Sequence, residues 1–180
     1  KELGKYQKAI NCYEKAIQID SNLLPAHDNL GITFKELGKY QKAINCYEKA
    51  IQINPNFADA YNNLGIIYQK LRDYQKAKSY CEKAIELSPN YIEAYWNLYS
   101  CVSDVDEALT ILKKLYAIDN NHLEAKLMIY ALEGFKGNFK DFDTSFDSHH
   151  VNHPLARSIK WVFSLPQLPK IYFNRWNFFD

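Results

Sequence analysis

Residues 1–19 read KELGKYQKAINCYEKAIQI, and residues 35–53 read the same nineteen letters. Extending the comparison, residues 1–23 match residues 35–57 at 20 of 23 positions. LGITFKELGKYQKA (30–43) then aligns with LGIIYQKLRDYQKA (64–77) at the same step of 34. Self-similarity at a fixed period of this size is the mark of a repeat architecture. Inside each unit the apolar and small residues fall at helical spacing: Leu30, Gly31, Phe34 and Leu37 on one segment, Ala43, Tyr47, Ala50 and Ile53 on the next. The unit is a helix, a turn and a second helix. Gly38 follows the first helix, where a left-handed stop is needed, and Pro55 follows the second, where a helix cannot continue.

Composition agrees with a folded chain. Of 180 residues, 47% are hydrophobic and 24% charged, too apolar for a disordered segment. Lys plus Arg (22) nearly balance Asp plus Glu (21), so there is no overall basic field to hold nucleic acid or an anionic membrane. No run of 18 apolar residues occurs and the start lacks the features of a signal peptide, so a cytoplasmic chain is expected. Lys1 stands where an initiator Met is expected, which suggests a fragment or a processed chain. Cys12, Cys46, Cys81 and Cys101 have no metal-ligand spacing and are expected to be small buried side chains in a reducing compartment.

An aromatic or His, then Leu-Gly, an aromatic, and Ala, aromatic, Ala, Pro at this period resembles the tetratricopeptide repeat. The residues are His27, Leu30, Gly31, Phe34, Tyr40, Ala43, Tyr47, Ala50 and Pro55, then Tyr61, Leu64, Gly65, Tyr68, Tyr74, Ala77, Ala84 and Pro89. The resemblance implies an all-α fold: a right-handed superhelical solenoid of helix-turn-helix repeats with a C-terminal helical cap. A half repeat at 1–23 precedes full repeats at 24–57 and 58–91. A repeat at 92–122 carries Tyr99 in place of Gly and a turn three residues shorter, and 123–147 is a degenerate capping repeat keeping Ala125. Residues 148–180 are expected to form an aromatic-rich C-terminal helix and linker.

Exact duplication also bears on function. A catalytic constellation needs one set of groups in one geometry, whereas a unit present twice is a module for stacking, so no catalysis and no cofactor are expected of this chain. Tetratricopeptide domains bind extended peptides or partner helices on the wall made by their first helices. By the repeat, the inward positions are Pro25, Asp28, Asn29 and Ile32, then Asp59, Asn62, Asn63 and Ile66, then Glu93, Trp96, Asn97 and Ser100. Asn29, Asn63 and Asn97 recur at a spacing of 34, and an Asn offers both a donor and an acceptor to the amides of an extended chain. This resembles the asparagine ladder of O-linked N-acetylglucosamine transferase superhelices. The two-carboxylate clamp of chaperone-binding tetratricopeptide domains needs Lys and Arg where this chain has Asp28, Asp59 and Glu93, so a neutral or basic segment suits the wall better. The partner-binding set expected is therefore Asp28, Asn29, Asp59, Asn62, Asn63, Glu93, Trp96 and Asn97.

Other patterns carry less. His149, His150 and His153 lack the Cys or carboxylate spacing of a closed zinc site, and Asp141, Asp143 and Asp147 lack the turn Gly and the bidentate Glu of a calcium loop. No metal is expected. No GxGxxG, Walker, GxSxG or HExxH motif occurs. Toward the C-terminus, Leu155, Ile159, Val162 and Phe163 read as an amphipathic helix ending near Ser164, and Pro166 and Pro169 enforce an extended link. The stretch HPLARSIKWVFSLPQLPKIYFNRWNFFD (153–180) is similar to the segment before a methyltransferase-like domain in bacterial tetratricopeptide fusion proteins. That likeness gives an alternative function, the targeting arm of a larger transferase. Finally, Tyr6, Ile10, Tyr13 and Ile17 are expected to form an uncovered apolar stripe, and with it self-association through residues 1–23.

Overall fold

The structure is a computed structural model, and it describes residues 2–135. Among these there are eight α-helices and no strand: α1 (Glu2–Ile19), α2 (Leu24–Glu36), α3 (Tyr40–Ile53), α4 (Ala58–Lys70), α5 (Tyr74–Leu87), α6 (Ile92–Tyr99), α7 (Val105–Ile118) and α8 (Leu123–Phe135). The described residues divide into two units, one up to residue 120 and one from residue 121 onward. The sequence-expected C-terminal helix and linker, the His149–His153 and Asp141–Asp147 groups and the end of the capping repeat lie outside the described residues.

In the first unit, α2 and α3, α4 and α5, and α6 and α7 form hairpins. Each hairpin's first helix also packs on the second helix before it, α2 on α1, α4 on α3 and α6 on α5. The first helices adjoin one another along the row α2, α4, α6. Short side chains set the closeness of each hairpin. A Cβ on Gly31 would lie 2.8 Å from the Tyr47 ring, and one on Gly65 would lie 2.6 Å from Cys81 Sγ. Ala43, Ala50, Ala77 and Ala84 are wholly buried, and Tyr47, Leu64, Ile67, Leu112 and Leu115 fill the space between helices.

The turn inside each hairpin is built twice on one plan. Leu37, Gly38 and Lys39 donate their backbone N–H groups to the carbonyls of Thr33, Lys35 and Phe34. Leu71, Arg72 and Asp73 do the same to Ile67, Gln69 and Tyr68. The middle residue is left-handed in both, Gly38 at φ 68° and Arg72 at φ 61°. Asp73 then caps α5 by accepting from the Lys76 N–H at 3.2 Å, and Asp104 caps α7 by accepting from Glu107 at 2.8 Å. Asp104 falls in the register of Asp73 once three residues are removed, and α6 is correspondingly short, 8 residues against 13 in α2 and α4.

The duplicated stretch folds in two ways. At 35–53 it ends α2, turns through Leu37–Lys39 and forms α3; at 2–19 the same letters are one continuous helix. Burial differs as well. Ala43, Tyr47 and Ala50 of α3, which lies between α2 and α4, are wholly buried, whereas the equivalent Ala9, Tyr13 and Ala16 of α1 are only partly covered. The stripe expected to be bare is nevertheless packed. Ile10 is 4% exposed and Tyr13 and Ile17 lie against the core, because α2 covers that side of α1.

In the second unit, α8 opens with the His122 ring Nδ1 accepting the Ala125 N–H at 3.2 Å, and Ala125 and Leu127 are buried.

Candidate functional site

The row of first helices presents the candidate wall. Its polar residues are joined across helices rather than standing apart. Lys35 of α2 donates from Nζ to Asn63 Oδ1 of α4 at 2.6 Å. Asn97 of α6 donates to Asn62 Oδ1 of α4 at 2.8 Å, and Asn62 Nδ2 donates to the Tyr91 hydroxyl at 3.3 Å. Tyr91 in turn donates to Asp59 Oδ1 at 2.6 Å. Gln69 of α4 reaches the Asn97 carbonyl at 2.7 Å and Cys101 Sγ at 3.2 Å.

Of the residues expected from sequence, Asp59, Asn62 and Asn97 therefore belong to one hydrogen-bonded set, with Asn62 buried to 5% exposure inside it. Asn29, Asn63 and Asn97 keep their repeat register but have unlike surroundings. Asn29 is exposed and donates to the Pro25 carbonyl at 2.8 Å within its own helix, Asn63 is held by Lys35, and Asn97 by Asn62. Trp96 is half-buried with its ring tilted against Tyr99 at 5.5 Å, and Glu93 is exposed.

Asp28 is half-buried, and its Oδ1 is shielded without a hydrogen-bond partner, as is the Tyr47 hydroxyl. Burial raises the Asp28 carboxyl above its ordinary range, the charge of Asp59 raises it further, and Lys35 opposes them. Burial likewise lowers the Lys35 ammonium, with Glu36 and Asp28 acting in the other direction. The Tyr91 hydroxyl is pushed up by burial and by its bond to Asp59.

Lys35, Gln69 and Tyr91 stand outside the set expected from sequence. Lys35 and Gln69 share a register position 34 apart, which is the signal that could have found them. The cysteines also differ from expectation: Cys46 and Cys81 are buried, Cys101 is half-buried and Cys12 is exposed. Cys46 sits near Glu14 of α1, and burial pushes its thiol up to about 11. Cys12, its counterpart, has no such cover. Among the described residues no cluster of His, Cys, Asp or Glu could hold a metal ion, and no helix is long and apolar enough to cross a membrane.

Hairpins stacked at a constant 34-residue step, with polar side chains bridging their first helices, define an α-helical repeat protein. A family pattern described as "TPR repeat" matches residues 1–38 and 31–71, and one described as "Tetratricopeptide repeat" matches residues 58–91. The chain belongs to the tetratricopeptide repeat family through residues 1–91. No curated protein matches it by sequence. Among solved structures it is similar to MamA, with TM-score 0.67 and 26% identity over 76% of this chain and 81% of that one. It is similar in fold to YrrB, described as "a TPR protein with an unusual peptide-binding site", with TM-score 0.68 and 24% identity over 89% of this chain and 86% of that one. The first tetratricopeptide domain of Spaghetti (RPAP3), solved bound to the HSP90 peptide SRMEEVD, matches with TM-score 0.60 and 23% identity over 66% of this chain and 96% of that one.

Proposed function

We propose that the chain is a protein-interaction scaffold that receives an extended peptide segment of a partner along the α2–α4–α6 face, with repeats 24–57, 58–91 and 92–122 building the wall. The observation that carries this reading is the cross-helix network. Lys35 holds Asn63, and Tyr91, Asn62 and Asn97 hold one another, so polar groups are fixed before a ligand arrives and little side-chain entropy is lost on binding. That YrrB and RPAP3 are peptide-binding relatives in fold supports the same reading. The carboxylates Asp28, Asp59 and Glu93 on this face favour a neutral or basic segment over an acidic tail of the SRMEEVD kind.

The test is a panel of fluorescent peptides of equal length, basic, neutral and acidic, titrated against the protein at low and physiological salt. Basic peptides should bind most tightly, and Glu93→Lys, a change at an exposed site, should weaken them. Equal binding of all three, or a preference for acidic peptides, would overturn the charge argument. Retained affinity after Asn29, Asn63 and Asn97 are all changed to Ala, with the helical circular dichroism intact, would place the site off this face.

A further inference from the structure

One turn of α4 gathers two sulfurs. A Cβ on Gly65 would meet Cys81 Sγ at 2.6 Å, and four residues on, Gln69 Nε2 reaches Cys101 Sγ at 3.2 Å. Residues four apart on a helix lie one above the other on the same face, so this turn holds Cys81, from α5, beside Cys101, from the turn that follows α6. Their surroundings are unequal. Cys81 is wholly buried, whereas Cys101 is partly open and sits at a carbonyl, donating to Asn97 O at 3.2 Å while accepting from Gln69.

We propose that Cys81 and Cys101 are a redox-modification site, a thiol pair that a hydroperoxide converts to a reversible disulfide tying α5 to the α6–α7 turn. Three features make Cys101 the reacting sulfur. It is the more accessible member; the Cys81 thiol, the Gln69 amide and the charge of Lys78 lower its pKa against the opposing effect of burial; and the thiolate is the nucleophilic form. Cys81 is held as a thiol by its bond to Cys101 and by burial, so it waits as the resolving partner.

The chemistry balances in two steps. The Cys101 thiolate attacks the peroxide, forming S–O as O–O breaks and releasing hydroxide, or alkoxide from an organic peroxide; the sulfur is oxidised to a sulfenic acid. Cys81 then attacks that sulfur as its proton leaves, forming S–S and expelling the sulfenic oxygen as water. Reduction by a dithiol restores both. The bond consumes the S–H that Cys101 gives to Asn97 O, so it alters the α6 end of the wall. The disulfide itself does not depend on what that wall binds.

The experiment uses the chain with Cys12→Ser, which removes the exposed thiol, treated with stoichiometric hydrogen peroxide and then alkylated. The expected result is an intact mass lower by two hydrogens, two thiols lost to alkylation, and a cross-linked fragment joining the Cys81 and Cys101 segments that dithiothreitol undoes. Adding Cys81→Ala should leave Cys101 as a sulfenic acid trapped by dimedone, and Cys101→Ser should leave Cys81 unreacted. Unchanged alkylation of Cys81 and Cys101 in the parent chain, or oxidation that stops at one sulfur without a cross-link, overturns the proposal. That outcome needs no variant beyond the surface Cys12 change and leaves the peptide-binding reading untouched.

Discussion

Arg72 holds the left-handed backbone position that Gly38 holds one repeat earlier, at φ 61° against 68°. A side chain bearing Cβ pays about 1–2 kcal/mol for that conformation, and the greater freedom of an unfolded glycine offsets about 0.5–1 kcal/mol of any relief. Arg72→Gly should therefore stabilise the protein by about 0.5–1 kcal/mol, seen as a raised midpoint in thermal melts; a lowered midpoint would mean that the Arg72 side chain contributes more than its backbone costs. Asp28 offers a test of sign. Its carboxyl titrates above 3.8 in the folded state because of burial and Asp59, so between 3.8 and the folded value the native chain binds more protons than the unfolded one. Stability contributed by this group falls as pH rises through that window. Asp28→Asn should accordingly raise the melting midpoint at neutral pH and lose that advantage below 3.8, where the wild-type carboxyl is protonated in both states. An equal gain at both pH values would point to packing instead.

At the level of helices and turns, the repeat register was legible because its chemistry is local. Leu-Gly at 30–31 and 64–65 announces a close helix crossing, and Gly38 announces a left-handed stop. The shared register of Lys35 and Gln69 marks their positions but not their partners, and Tyr91 has no such mark, since each acts through a group 28 to 32 residues away and reach across helices is no property of a sequence window. The burial difference between Cys12 and Cys46 has the same origin: two identical segments and unlike neighbours. Helix caps complete the comparison. Asp73 and Asp104 cap α5 and α7 through their side chains, whereas Lys39, at the same point of α3, offers none. Lys39→Asp should stabilise the chain by about 0.5–2 kcal/mol, the usual worth of an N-cap oxygen. A chemical denaturation midpoint that does not move would show that the start of α3 is already satisfied.

For the molecule as a whole, the packing of α1 on α2 limits the surface that residues 1–23 offer to a second copy. On α1, Ala9, Tyr13 and Ala16 stay partly exposed, Tyr13 while packed on the core, whereas their counterparts on α3 are wholly buried. If two copies meet there, light scattering should show a mass that rises with concentration and returns to the monomer in Tyr13→Lys; a constant monomer mass would leave residues 1–23 without that role. The double occurrence of one segment in two settings also makes the chain its own calibration for amide hydrogen exchange. Chemical exchange from an open chain depends on the flanking side chains, and these are the same for residues 5–19 and 39–53. The ratio of rates at matched amides therefore reports the difference in opening free energy between the two structural settings of one sequence. Amides of Ala43 to Ala50 should exchange more slowly than those of Ala9 to Ala16. The measurement calls for resolved nuclear magnetic resonance signals, because proteolytic fragments from the two copies would have identical masses.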